Sequence, residues 1–220
     1  FQGVGDIEEL NFLDICDVKG NIYVFAIIND KKDKTMSLYK LTLDPEELVA
    51  STPQKLGVVN YDFTRATNVK KFELTLSPDS SKILIFYPAP YKKGMPERFG
   101  AMVFDENMNR IWANEFQLPY PDDYFKVNKF FVGNNGQIFM NCTKYKGNQN
   151  AFATQNPNNY QFILLATDPN GQEIKEIDID IKDKYVSDMV AASLPNNDIV
   201  CIGYTSPKSL SNKIDGFFYA

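Results

Sequence analysis

Ser77-Pro78-Asp79-Ser80-Ser81-Lys82-Ile83-Leu84-Ile85-Phe86-Tyr87 joins a polar turn to an unbroken apolar strand, and the same plan recurs three more times along the chain. Each copy ends an apolar segment, turns through residues that tolerate tight backbone geometry, and reopens on isoleucine. The isoleucines are Ile22, Ile83, Ile138 and Ile199, at spacings of 61, 55 and 61 residues. The other three turns are Asp17-Val18-Lys19-Gly20-Asn21, Gly133-Asn134-Asn135-Gly136-Gln137 and Leu194-Pro195-Asn196-Asn197-Asp198. A second landmark, a strand running into an Asp that begins another turn, falls at Asp44, Asp105 and Asp168, 61 and 63 residues apart. Two landmarks drifting by one period define a repeated unit.

Each unit reads as four short strands, lettered a to d. In the second unit these are 69–76, 82–88, 99–105 and 109–117, and Phe72, Leu74 and Leu76 alternate with Glu73 and Thr75 as a half-buried strand requires. Ile22 to Ile28 and Ile83 to Tyr87 are apolar throughout, the pattern of strands covered on both faces. No stretch keeps a helical period, so the fold class is all-β. Four-stranded units repeating at this length match the blades of a β-propeller, each of which buries its faces against its neighbours. The 17 Phe, 12 Tyr and one Trp supply the bulk that wedge-shaped gaps between sheets demand. Residues 1–220 therefore read as a single propeller region with blades at about 7–60, 66–118, 124–180 and 184–220.

The fourth unit reaches only its third strand at Ala220. Either Phe1 to Glu8 supplies the missing strand and closes a small ring, or the chain is an arc of a larger propeller. The arc is the preferred expectation, and it leaves apolar blade faces for contacts elsewhere. The chain opens Phe1-Gln2-Gly3-Val4-Gly5, with no initiator Met and no intact secretory signal visible, so it reads as processed or cut.

The turn Ser77-Pro78-Asp79-Ser80-Ser81-Lys82-Ile83 resembles the Ser-Pro-Asp-Gly-Lys-x-Ile signature of WD40-like, TolB-type propellers. The resemblance covers one blade; the other three turns lack Ser-Pro-Asp, and Ser stands where that family has Gly. It implies a binding platform and carries no catalytic residues across. Together with the Asn- and Lys-rich composition, it looks like the envelope propellers of Bacteroidota-type bacteria, which implies a periplasmic or cell-surface setting.

Composition removes several function classes. The 44% hydrophobic content suits a chain with a core. The net charge of -5 disfavours generic nucleic-acid binding. The absence of histidine excludes Ser-His-Asp triads, Cys-His dyads and His-ligated zinc. Cys16, Cys142 and Cys201 lie far apart inside apolar strands and read as small buried hydrophobes. No cofactor is expected.

Charge is distributed unevenly. The b-to-c connections, 29–35, 88–98, 144–160 and 205–213, hold ten basic and three acidic residues, a net of +7, while the d-to-a segments 49–68, 118–125 and 180–185 are nearly neutral. These long loops share one face and interleave aromatics with cations, which marks them as the binding surface. The candidate residues are Tyr91, Lys92, Lys93 and Arg98 in one connection, and Tyr145, Lys146, Phe152 and Tyr160 in the amide-rich next one. Amides beside aromatic faces suit a sugar or peptide ligand.

Catalytic constellations are not apparent. Arg65, Arg98 and Arg110 cannot converge as a sialidase requires, because Arg110 lies in a c-to-d turn opposite the face of Arg98. Asp122-Asp123 reads as a solvated turn, Asp178-Ile179-Asp180-Ile181 as strand structure, and the Asn141-Cys142-Thr143 glycosylation pattern falls inside an inner strand. The reading is a non-enzymatic interaction or scaffold module for a protein partner, a larger complex, or a glycan or peptide. The alternative is part of a glycan-acting propeller enzyme whose catalytic residues lie outside this chain.

Overall fold

The computed structural model describes residues 10–60, 72–89, 95–121, 124–146, 159–182, 184–207 and 214–220. These residues form four antiparallel sheets in which strand order follows chain order. The first holds β1 (Asn11–Val18), β2 (Asn21–Asp30), β3 (Thr35–Leu43) and β4 (Gln54–Asn60). The second holds β5 (Glu73–Leu76), β6 (Lys82–Pro88), β7 (Pro96–Asp105) and β8 (Arg110–Pro121). The third holds β9 (Phe125–Val132), β10 (Ile138–Tyr145), β11 (Tyr160–Thr167) and β12 (Ile174–Asp178), and the fourth β13 (Lys184–Ser193), β14 (Ile199–Pro207) and β15 (Gly216–Tyr219). The architecture is all-β, a succession of β-propeller blades. The last has three strands among the described residues.

The chain divides into two compact units, 1–74 with 87–90 and 75–86 with 91–220. In the first unit, Val24, Ala26 and Leu41 form a small cluster with Leu10, Leu43 and Ala50, and the Lys40 ammonium sits 5.0 Å above the Tyr23 ring. In the second unit the sheets pack face to face in chain order. One cluster joins Leu84, Phe86, Phe99 and Trp112 of the second sheet to Phe130, Met140, Cys142 and Ile163 of the third. Phe86 stacks on Phe130 with centroids 4.0 Å apart. A second cluster joins Phe131, Phe139, Phe162 and Leu164 of the third sheet to Met189, Ala191, Cys201 and Phe218 of the fourth. Met140 and Phe139 thus face opposite neighbours, which is why β10 is buried on both sides.

The two sequence landmarks have separate physical causes. The a-to-b turns need left-handed backbone, supplied at Gly20 (φ 87°), Ser80 (φ 56°), Gly136 (φ 83°) and Asn197 (φ 66°). Their tips in the second unit are tied together. The Asp79 N–H donates to Asn134 Oδ1 at 3.2 Å, Asn134 Nδ2 donates to the Pro195 carbonyl at 2.8 Å, and the Asn135 N–H donates to Asn197 Oδ1 at 3.2 Å. The c-to-d landmark is a carboxylate cap. Asp44 Oδ1 accepts the N–H groups of Glu46 and Glu47, Asp105 Oδ1 those of Asn107 and Asn109, and Asp168 Oδ1 that of Glu173.

Several strands run further than their side chains advertise. β7 begins at Pro96 and β8 ends at Pro121, so Arg98, expected in a loop, lies in a strand opposite Gln117. Lys144, Tyr145 and Tyr160, also assigned to a loop, are strand residues. The segment 49–68, taken as a connection, contains β4, which pairs with β3 around a bulge at Leu38/Tyr39. The backbone ladder is indifferent to side-chain polarity, so it extends through residues that read as loop.

Candidate functional site

The b-to-c and d-to-a connections of the second unit emerge at one end of its sheets, and the turns at the other. At the connection end Tyr145 and Tyr160 are opposite one another across β10 and β11, their centroids 6.3 Å apart, and the ladder continues as the Lys146 N–H donates to the Asn159 carbonyl at 2.8 Å. Tyr160 also meets Phe162 edge-on at 5.7 Å and donates its hydroxyl to the Ser187 carbonyl at 3.1 Å. Burial pushes the Tyr160 phenol up, with the charges of Asp188 and Tyr145 adding to it.

Beside these tyrosines lies a cavity of about 220 Å³ between the third and fourth sheets. Phe162, Ile179, Ile181 and Val186 give it apolar surface, Tyr160 and Tyr185 give it rings, and Lys146, Gln161, Asp180 and Lys184 give it polar groups. Two of those polar groups are committed. The Lys184 ammonium is bound to the Asp215 carboxylate, which also accepts the Thr205 hydroxyl at 3.1 Å, and this pairing with Lys184 holds the Asp215 carboxyl below its ordinary range. Gln161 Nε2 donates to Asp178 Oδ1 at 3.1 Å. Among the described residues the side chains of Lys146 and Asp180 have no partner, and both line the cavity.

The structure therefore brings together Tyr145, Lys146 and Tyr160 from the sequence-based set. Arg98 sits on a different sheet, 3.4 Å from Glu115, with both side chains about half exposed; such a pair contributes roughly 0–1 kcal/mol. Tyr91, Lys92, Lys93 and Phe152 lie outside the described residues, as do Arg65, Asp122, Asp123, Lys208 and Lys213. Lys144, counted among the loop cations, is held between sheets. Its Nζ lies 3.6 Å from Glu176, 3.3 Å from the Tyr120 hydroxyl and 4.5 Å above the Tyr120 ring, and that hydroxyl donates to Glu176. Burial, then the hydrogen bond to Glu176, pushes the Tyr120 phenol up.

Lys184 and Tyr185 were not singled out by sequence reasoning, and Asp180, read there as strand structure, lies beyond the end of β12 at Asp178. The available signal was Lys184-Tyr185, which repeats the adjacent cation and aromatic ring of Lys144-Tyr145. The thiols carry no nucleophilic signature: burial, then Asp14 and Asp17, pushes Cys16 up to about 11, and burial pushes Cys142 and Cys201 up as well. Among the described residues no group of three Cys, Asp or Glu is placed to hold a metal ion, and no helix is long and apolar enough to cross a membrane.

No protein-family model matches the sequence, and no curated protein matches it. Among solved structures the chain is similar to a hydrazine synthase of Kuenenia stuttgartiensis, at 9% identity and a TM-score of 0.43, over 87% of this chain and 61% of that one. It is similar to an α-L-arabinanase of Penicillium chrysogenum solved with arabinobiose, at 10% identity and a TM-score of 0.43, over 97% and 62% of the two chains. It is also similar to the β-propeller domain of the trilobed protease from Pyrococcus furiosus, at 12% identity and a TM-score of 0.40, over 97% and 68%. The chain spans less than two thirds of the synthase and arabinanase chains.

Proposed function

We propose that this chain is a β-propeller interaction module, without catalytic chemistry of its own, that anchors a protein partner at the connection end of its sheets. The observation that carries this reading is the cavity with apolar walls at Phe162, Ile179, Ile181 and Val186 and two opposite charges in its lining, Lys146 and Asp180, that have no partner among the described residues. Its volume of about 220 Å³ falls short of the roughly 300–1,000 Å³ typical of a small-molecule pocket. It suits one side chain inserted from a partner. Burial of that side chain supplies affinity, while one cation and one anion beside it fix orientation and reject mismatched charge patterns. The WD40-like, TolB-type character and a periplasmic or cell-surface setting belong to the same proposal and rest on the Ser77-Pro78-Asp79 turn and the Asn- and Lys-rich composition.

A glycan is the second reading, favoured by the Tyr160 and Tyr185 rings beside the Gln161 amide. In that version the chain serves a carbohydrate-binding role, or forms part of a glycan-acting enzyme whose catalytic residues lie elsewhere.

The readings separate when the chain is screened against a displayed random-peptide library and an oligosaccharide array, alongside Ile181→Trp, which fills the cavity. The protein reading expects peptides centred on an aliphatic residue, an affinity loss of at least about tenfold in the variant, and an unchanged melting temperature. Selection of glycans alone, or equal peptide affinity in both proteins, rejects it.

A further inference from the structure

The fourth sheet has two apolar faces, and among the described residues of its unit only one is covered. Met189, Ala191, Cys201 and Phe218 are buried against the third sheet. On the other face Val190, Ile202 and Tyr219 stand opposite one another across β13, β14 and β15, and Tyr204 stands opposite Phe217 in the adjoining row. These five side chains are between 50% and 79% exposed. Exposed apolar groups that adjoin in one patch mark a contact surface, whereas scattered ones do not.

The register identifies what kind of surface this is. Ile202 pairs with Tyr219 and Tyr204 with Phe217, as Asn141 pairs with Leu164 and Thr143 with Phe162 one repeat earlier. Asn141, Thr143, Phe162 and Leu164 are all buried. Phe162 and Leu164 share a cluster with the fourth sheet, and Asn141 Nδ2 donates to the Met189 carbonyl at 2.8 Å. The exposed face is therefore the next term of an interface that the chain already makes between its third and fourth sheets. Ile202 replaces the amide of Asn141, so what lies upon it offers apolar contact at that point instead of a backbone carbonyl. The edge carries the same message. β3, β7 and β11 each pair with a fourth strand, and among the described residues the outer edge of β15 has none.

We propose that Val190, Ile202, Tyr204, Phe217 and Tyr219 seat a further four-stranded sheet of this same repeat, and that β15 takes up an antiparallel fourth strand alongside it. The surface is separate from the cavity lined by Tyr160 and Tyr185, and the loss of either leaves the other standing. Edge pairing supplies backbone hydrogen bonds, and the apolar face supplies area and register.

The test places the photo-crosslinker p-benzoylphenylalanine at position 217 in the protein produced in its source cells, with hydrogen exchange followed at Gly216–Tyr219. The expected cross-link falls in a peptide of a further four-stranded repeat. Exchange at these amides is expected to be at least about 100-fold slower than in the isolated 220-residue chain. Cross-links to a second copy of this chain, to lipid, or to nothing overturn the proposal, as does equal exchange in the two preparations. Phe217→Lys combined with Tyr219→Lys is expected to leave the isolated chain's melting temperature unchanged and to abolish the cross-link from a benzophenone placed at position 202. A large fall in the isolated chain's melting temperature assigns these residues to its own core and likewise overturns it.

Discussion

The backbone of Gly171 lies directly on the indole of Trp112. A Cβ added at position 171 meets three ring carbons at 2.6–2.7 Å, the residue holds φ +65°, and Asn114 Nδ2 donates to its carbonyl at 2.9 Å. The c-to-d turn of the third sheet is thereby seated on the last strand of the second, an arrangement that only glycine permits.

Gly171→Ala is expected to lower stability by about 2–5 kcal/mol, the overpacking of a filled contact added to the left-handed penalty at φ +65°. Gly20 is the control: it holds φ +87° with nothing within 4 Å of an added Cβ, so Gly20→Ala carries only the left-handed penalty of about 1–2 kcal/mol. Urea denaturation of both variants checks the ordering, and a Gly20 variant worse than the Gly171 variant contradicts it.

Asn134 bridges two neighbouring turns, accepting from the Asp79 N–H and donating to the Pro195 carbonyl. Asn134→Ala is expected to cost about 0.5–1.5 kcal/mol per bond lost. Asn134→Asp keeps the acceptor but sets a carboxylate oxygen against the Pro195 carbonyl, so its loss by thermal denaturation at about pH 7 is expected to be at least that of the alanine variant.

Acid sensitivity follows from the capped turns. Hydrogen bonds from the Glu47 N–H to Asp44 and from the Glu173 N–H to Asp168 hold these carboxyls below their ordinary range. A depressed folded-state value means the stabilisation is fully present above the unfolded carboxyl value of about 3.9. It fades as pH falls through the lower folded value. Asp168→Asn retains an acceptor without the titration, so its melting temperature is expected to fall less between pH 5 and pH 2 than that of the parent chain. Parallel curves contradict this.

These residues show what a sequence can disclose. The repeat was legible because tight turns demand left-handed residues and because one carboxylate caps each c-to-d turn, both local requirements written into adjacent positions. The alternation in 72–76 and the unbroken apolar run at Ile83 to Tyr87 reported sheet burial for the same reason. The ends of β7 and β8 were not legible, since backbone pairing carried Arg98 into a strand regardless of its charge. Lys144 read as a loop cation, yet its carboxylate partner, Glu176, comes from another strand of the folded sheet. Tyr145, Lys146 and Tyr160 were legible as a cation–aromatic cluster. Asp180 and Lys184 join them only through the packing of one sheet on the next, which no local pattern encodes.

Thiol reactivity offers a fourth check. Cys16 is pushed up from 9.0 to about 11 and Cys142 is buried. At pH 8 the native chain is expected to react with a thiol-specific disulfide reagent at Cys16 alone, about 100-fold more slowly than an unhindered thiol. Denaturant exposes all three cysteines at once. Rapid labelling of Cys142 in the native state contradicts the sheet packing around β10.

The clasp formed by Asn134 and Asn135 has a mechanical corollary. The third and fourth sheets are pinned at their turn tips by two bonds from these adjacent residues to Pro195 and Asn197. The other end of the same interface is tied as well, by the Tyr160 hydroxyl to the Ser187 carbonyl at 3.1 Å, with Asn141 Nδ2 on the Met189 carbonyl between the two. A side chain entering beside Tyr160 and Tyr185 therefore meets walls braced at both poles, a fixed slot in place of a jaw.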